Sequence, residues 1–139
     1  MSKKYILLVE DNPDEVLLAE RALNTCRTQA KLVVAHNGQE AIDMLFAPSK
    51  ISDPESKTIS MVLLDLNLPM INGLEILRQI RANKSTRELP VIVLTSSMDE
   101  KDSKESGRLG ASEYIRKPTS YSEFVKIVHS ILSKWVGED

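Results

Sequence analysis

Five short apolar runs recur along the chain, and each is followed by a stretch with helical spacing. Residues 5–9 (Tyr5-Ile6-Leu7-Leu8-Val9) are apolar without a break, as expected for a strand buried on both faces. Asn12-Pro13-Asp14-Glu15 then reads as a helix start: an N-cap, a proline at the first helical position and a Glu three residues after the cap. Val16, Leu17, Ala19 and Leu23 carry that helix to about Asn24. Residues 31–35 give a second strand, Asn37-Gly38 a turn, and residues 40–46 a short helix. Residues 61–64 form the third and most apolar strand, ending at Asp65. Pro69 and Asn72-Gly73 mark a turn region, and residues 74–81 an amphipathic helix. Residues 90–94 form a fourth strand ending at Thr95, and residues 113–115 a short fifth. Between them, residues 99–109 make a helix of mostly charged and small polar side chains, expected to be the least stable. Ser120 caps a last helix on which Phe124, Val128, Ile131 and Trp135 share a face. This alternation predicts an α/β fold, a doubly wound parallel sheet of five strands covered on both faces.

At 139 residues the chain fits one domain. No apolar run approaches the roughly 18 residues of a membrane span, and the apolar stretch after the basic start is too short for a secretory signal. A cytoplasmic protein is the expectation. A net charge of −2 and 4% aromatics argue against broad nucleic-acid binding and base-stacking platforms. The single Cys26 excludes an internal disulfide and a cysteine-based metal cluster. Residues 47–58 form a long polar connection, read as a tolerated surface insertion.

In such sheets the active crevice lies beyond the C-terminal strand ends. Strand one ends on Glu10 and Asp11, strand three on Asp65, strand four on Thr95 and Ser96, and strand five on Lys117-Pro118. Three crowded carboxylates repel one another, which a divalent ion with hard oxygen ligands such as Mg²⁺ would relieve. A lysine ammonium and a threonine hydroxyl then complete a site suited to a phosphoryl group, with Asp65 as nucleophile. The ordinary readings are a strand terminus for Thr95, a solvated surface lysine for Lys117 and helix-start acids for Glu10 and Asp11. The four-strand combination outweighs them. His36 and His129 are not read as ligands, Cys26 is read as inert, and Trp135 as helix packing or an oligomer contact.

These residues resemble the receiver domains of two-component response regulators, of the chemotaxis-regulator type. The motifs are Leu8-Val9-Glu10-Asp11-Asn12, Leu64-Asp65-Leu66-Asn67-Leu68-Pro69-Met70 with Asn72-Gly73, Leu94-Thr95-Ser96 and Tyr114-Ile115-Arg116-Lys117-Pro118. The resemblance implies that Asp65 accepts the phosphoryl group from a histidine kinase. Glu10 and Asp11 would hold Mg²⁺ or Mn²⁺ together with Asp65 and the backbone carbonyl of Asn67, with Asp11 the more direct ligand of the acidic pair. Many receivers carry Asp where this chain has Glu10. Thr95 and Tyr114 would be the switch pair and Lys117 the phosphate-pairing lysine. Asn67 and Ser97 stand where the family tunes the phosphoryl lifetime, and the Lys117-Pro118 bond is one the family often holds cis. The chain would then be a phosphoacceptor that assists its own phosphorylation and dephosphorylation rather than an enzyme. Output would pass through the surface of the fourth helix, fifth strand and fifth helix to a downstream protein or a second copy. Residues 47–58, Leu66-Asn67-Leu68-Pro69 and the tail with Trp135 are similar to the small regulators paired with bacterial phytochrome kinases.

Three alternatives compete. A haloacid dehalogenase-like phosphohydrolase also uses a strand-end Asp with Thr, Lys and Mg²⁺, but wants an acid/base Asp where this chain has Asn67. A flavin binder lacks its phosphate loop after strand one. A receiver domain excised from a hybrid kinase is the third. Residues 133–139 after the matching stretch are too few for an output domain, and the start with Met1 makes a natural stand-alone chain the expectation.

Overall fold

All strands of the sheet run in the same direction. The computed structural model describes residues 4–26, 30–46, 58–97 and 99–136. Its elements are β1 (Lys4–Val9), α1 (Pro13–Asn24), β2 (Lys31–Ala35), α2 (Gly38–Phe46), β3 (Thr58–Leu64), α3 (Gly73–Ala82), β4 (Val91–Thr95), α4 (Glu100–Arg108), β5 (Glu113–Arg116) and α5 (Tyr121–Trp135). The order across the sheet is β2-β1-β3-β4-β5, every pairing parallel. Strand order reverses at β1, which opens a crevice at the C-terminal ends of β1 and β3.

The apolar runs are continuous because both faces of the sheet are covered. Ile6, Leu8, Met61, Leu63 and Ile92 meet Val16, Ala19 and Ala22 of α1 and Val128, Ile131 and Leu132 of α5. Leu7, Val9, Val62, Leu64 and Val91 point the other way, onto Ala41 of α2 and Ile76, Leu77 and Ile80 of α3. Successive side chains of one strand thus feed two separate cores.

The structure adjusts several expected boundaries. β3 starts at Thr58, three residues before the apolar run, because its first residues pair with Lys4 and Tyr5 before the register shifts. α2 starts at Gly38 because Asn37 Oδ1 accepts from Glu40 N at 2.9 Å, so the turn signal is the helix cap itself. Asn12 caps α1 through Asp14 N at 2.9 Å, but Glu15 does not close a capping box; its carboxylate goes to Lys117. α4 buries only Ser106, in keeping with its apolar-poor sequence. The Lys117–Pro118 bond is trans, unlike the isomer the resemblance implied. The trans–cis gap before proline is only about 0.5–1 kcal/mol, so surroundings decide it. The polar connection lies outside the described residues except for Thr58, which belongs to β3.

Candidate functional site

Backbone hydrogen bonds carry the parallel ladder one step past β1, β3 and β5, and Glu10, Asp65 and Lys117 sit on that step. Glu10 N donates to Ala35 O at 3.0 Å, Asp65 N to Val9 O at 3.2 Å, and Lys117 N to Thr95 O at 2.8 Å. Their side chains therefore leave the sheet at its C-terminal edge from a rigid base. Gly73 keeps the floor tight: a Cβ there would lie 2.5 Å from Asp65 O and 2.7 Å from Leu66 Cα. Only glycine allows α3 to begin this close to the backbone of Asp65.

Lys117 is the centre of the site. Its side chain is only 13% exposed, and Nζ donates to Glu10 Oε1 at 2.7 Å, Glu15 Oε2 at 2.9 Å and Asp65 Oδ2 at 3.3 Å. It is a half-buried, fully engaged ammonium, not a solvated surface lysine. Burial works against its charge, but the bonds to Glu10 and Glu15 and the charge of Asp65 prevail and raise its pKa. Burial pushes the Glu10 carboxyl up to about 7, with the charge of Asp65 adding to the effect and Lys117 opposing it. Asp65 is buried, and its Oδ1 accepts from Asn67 N at 3.1 Å.

Thr95 is fully buried at the end of β4, and its Oγ1 accepts from Ser97 N at 3.2 Å. Ser97 Oγ donates to Asp102 Oδ2 of α4 at 2.6 Å, and Tyr114 Oη donates to Ser97 O at 3.4 Å. Thr95, Ser97, Tyr114 and α4 thus form one connected set. The tyrosine is half-buried, with its hydroxyl bonded to the backbone of Ser97.

The structure brings Glu10, Asp65 and Lys117 into side-chain contact at one crevice, while Thr95 ends the neighbouring β4 with its hydroxyl on Ser97 N. Asp11 is exposed beside it, and Asn67 is exposed on the loop after Asp65. Glu15 is the residue that sequence reading assigned elsewhere: with Glu10 and Asp65 it forms a triad whose ligand oxygens can all lie within 4.8 Å of one another. Its helical position holds no sign of this, because the partner comes from a loop 102 residues away. The carboxylate oxygens suit a hard divalent ion such as Mg²⁺ or Mn²⁺, and an ion would relieve the repulsion now offset by Lys117. The other candidates are placed plainly. His36 is exposed, and exposed His129 shares a 2.7 Å hydrogen bond with Thr25 Oγ1. Cys26 is half-buried at the end of α1, and burial raises its thiol pKa. Trp135 donates from Nε1 to Glu113 and packs against the α1–α5 core.

A sequence model of the response regulator receiver domain matches residues 6–129. The chain is similar to the response regulator Rcp1 of Synechocystis sp., with 34% identity over 133 residues that cover 96% of this chain and 89% of that one. It is similar in structure to the phosphorylated cyanobacterial phytochrome response regulator RcpA, with a TM-score of 0.85, 32% identity and coverage of 97% and 95% of the two chains. The Mn²⁺-bound form of Rcp1 aligns with a TM-score of 0.83 and 33% identity, over 95% of this chain and 94% of that one. The receiver match replaces the phosphohydrolase and flavin alternatives, and the amide of Asn67 could not serve the first as acid or base. Among the described residues no helix is long and apolar enough to cross a membrane.

Proposed function

The chain belongs to the response regulator receiver domains of two-component signalling, and on that premise we propose that Asp65 is its phosphoacceptor and a histidine kinase the donor. The observation that carries this is the 3.3 Å contact of the half-buried Lys117 ammonium with the carboxylate of Asp65, at the floor of the crevice. An Asp65 oxygen attacks the phosphorus of a phosphohistidine. The new O–P bond forms as the P–N bond breaks, and the imidazole keeps the electron pair. Lys117 faces the transferred phosphoryl oxygens, and a fixed ammonium stabilises charge there without reorganising. A divalent ion held by Glu10, Asp11, Asp65 and the Asn67 carbonyl supplies further positive charge when bound.

The phosphoryl group also supplies acceptors that Asp65 alone lacks. The Thr95 hydroxyl, now an acceptor for Ser97 N, turns to donate to them. That step disturbs Ser97, and through it Tyr114 and Asp102. The change therefore reaches α4, β5 and α5, and α4 is the element with least burial to hold it. Output passes from this surface to a downstream protein or a second copy of the chain, with residues 1–139 acting as one receiver domain. Similarity to phytochrome response regulators favours a phytochrome-type kinase. On this reading the exchange takes place in the cytoplasm. The chain is consumed and regenerated as a switch, aiding its own phosphorylation and dephosphorylation rather than turning over a substrate.

Intact mass after incubation with acetyl phosphate tests the reading. One phosphoryl group should be added in the presence of Mg²⁺, and none to Asp65→Asn. An adduct of equal size on Asp65→Asn would remove Asp65 from the role.

A further inference from the structure

The phosphoryl transfer above assigns Glu15 no step, yet its carboxylate takes one of the three donor protons of Lys117. The three acceptors are Glu10 at 2.7 Å, Glu15 at 2.9 Å and Asp65 at 3.3 Å, so the phosphoacceptor has the longest contact. The Glu10 side chain is 3% exposed and that of Glu15 is 37% exposed, so Glu15 forms the outer edge of the cluster. Both Glu15 and Lys117 line a recess of about 160 Å³ that also reaches Asp65 and is walled by Leu8, Leu18, Leu63 and Phe124. Apolar walls strengthen charge interactions inside the recess relative to open water.

Resting on the phosphoacceptor reading, we propose that Glu15 is a positioning residue that draws Lys117 back from Asp65 and so slows phosphoryl uptake. An ammonium with three protons and three carboxylates has none left for a phosphoryl oxygen. It must release one partner when the group arrives. Glu10 is sealed, and abandoning a buried charge costs more than returning the half-exposed Glu15 to solvent. Glu15 is therefore the partner released. Its charge also opposes an approaching anionic donor, since its ligand oxygen lies within 4.8 Å of one on Asp65.

The test is the rate of phosphorylation by acetyl phosphate at saturating Mg²⁺, followed by intact mass. In that reaction an Asp65 O–P bond forms, the bridging P–O bond breaks, and acetate leaves with the electron pair. Glu15→Gln should react roughly three- to tenfold faster, the scale of removing one charge at this distance in a partly screened site. Glu15→Asp, which restores the charge, should fall between the two. Asp14→Asn removes an exposed charge from the same helical turn outside the cluster and should leave the rate unchanged. Equal rates for Glu15→Gln and wild type, or an equal gain in Asp14→Asn, would overturn the inference alone. A wild-type protein that takes up no phosphoryl group would overturn the phosphoacceptor reading and this inference with it.

Discussion

Replacing Glu10 by Gln keeps the shape of a buried side chain and removes its charge. In the folded protein burial holds the Glu10 carboxyl near 7, against an ordinary value of 4.5. Between those values the folded chain keeps a proton that the unfolded chain releases. The resulting stability is fully present below pH 4.5 and is lost as pH rises through 7. At about 1.4 kcal/mol per pKa unit, the ionised side chain costs the fold roughly 3 kcal/mol by pH 8. Gln carries no such proton. Lys117 keeps Glu15 and Asp65 as partners in the variant, so no ammonium is orphaned. Every other titrating group is common to both proteins. The stability of Glu10→Gln relative to wild type should therefore climb by roughly 3 kcal/mol between pH 4.5 and 8 in metal-free buffer. Urea unfolding followed by circular dichroism at half-unit pH steps reads this directly. With a slope of about 1–3 kcal/mol per molar urea, the midpoints should separate by about 1–3 M. Parallel midpoints across the whole window would refute the claim that Glu10 is strained by its burial.

Lys117→Met at pH 8 leaves Glu10 and Asp65 buried without their cation and should cost about 3–5 kcal/mol. Added Mg²⁺ should recover part of that loss in urea melts, and a variant as stable as wild type without metal would contradict the charge balance described. Met70 is fully exposed with φ 67°. Met70→Gly should relieve that left-handed strain for a net gain of about 0.5–1 kcal/mol, seen as a rise of a few degrees in Tm. Gly73→Ala should cost about 1–3 kcal/mol by crowding the Asp65 carbonyl, and should slow acetyl phosphate labelling, read by intact mass.

Much of the site is legible in the chain because strand ends are legible. An unbroken apolar run reports a strand buried on two faces, and the first polar residue after it marks the sheet edge. Glu10, Asp65 and Thr95 follow from that rule alone. The start of β3 does not, since Thr58-Ile59-Ser60 lacks an apolar run and joins the sheet by backbone pairing to β1. Glu15 is harder still. Its spacing from Asn12 matches a capping box, a local competitor that the ion pair with Lys117 outweighs. The link from Ser97 to Asp102 and Tyr114 is equally silent in sequence, as it joins three elements through side chains of ordinary loop and helix types.

The sequence by itself determined the alternation of strands and helices, the two-faced burial of the sheet and the set of groups at its edge, because these depend on local periodicity and on where apolar runs stop. Tertiary structure decided who meets whom. The order β2-β1-β3-β4-β5 brings residues 10, 65 and 117 within hydrogen-bond reach, and burial then sets the charge state of Glu10 and the partners of Lys117. Electrostatics in a dry crevice depends on distances across the sheet, which no local pattern encodes.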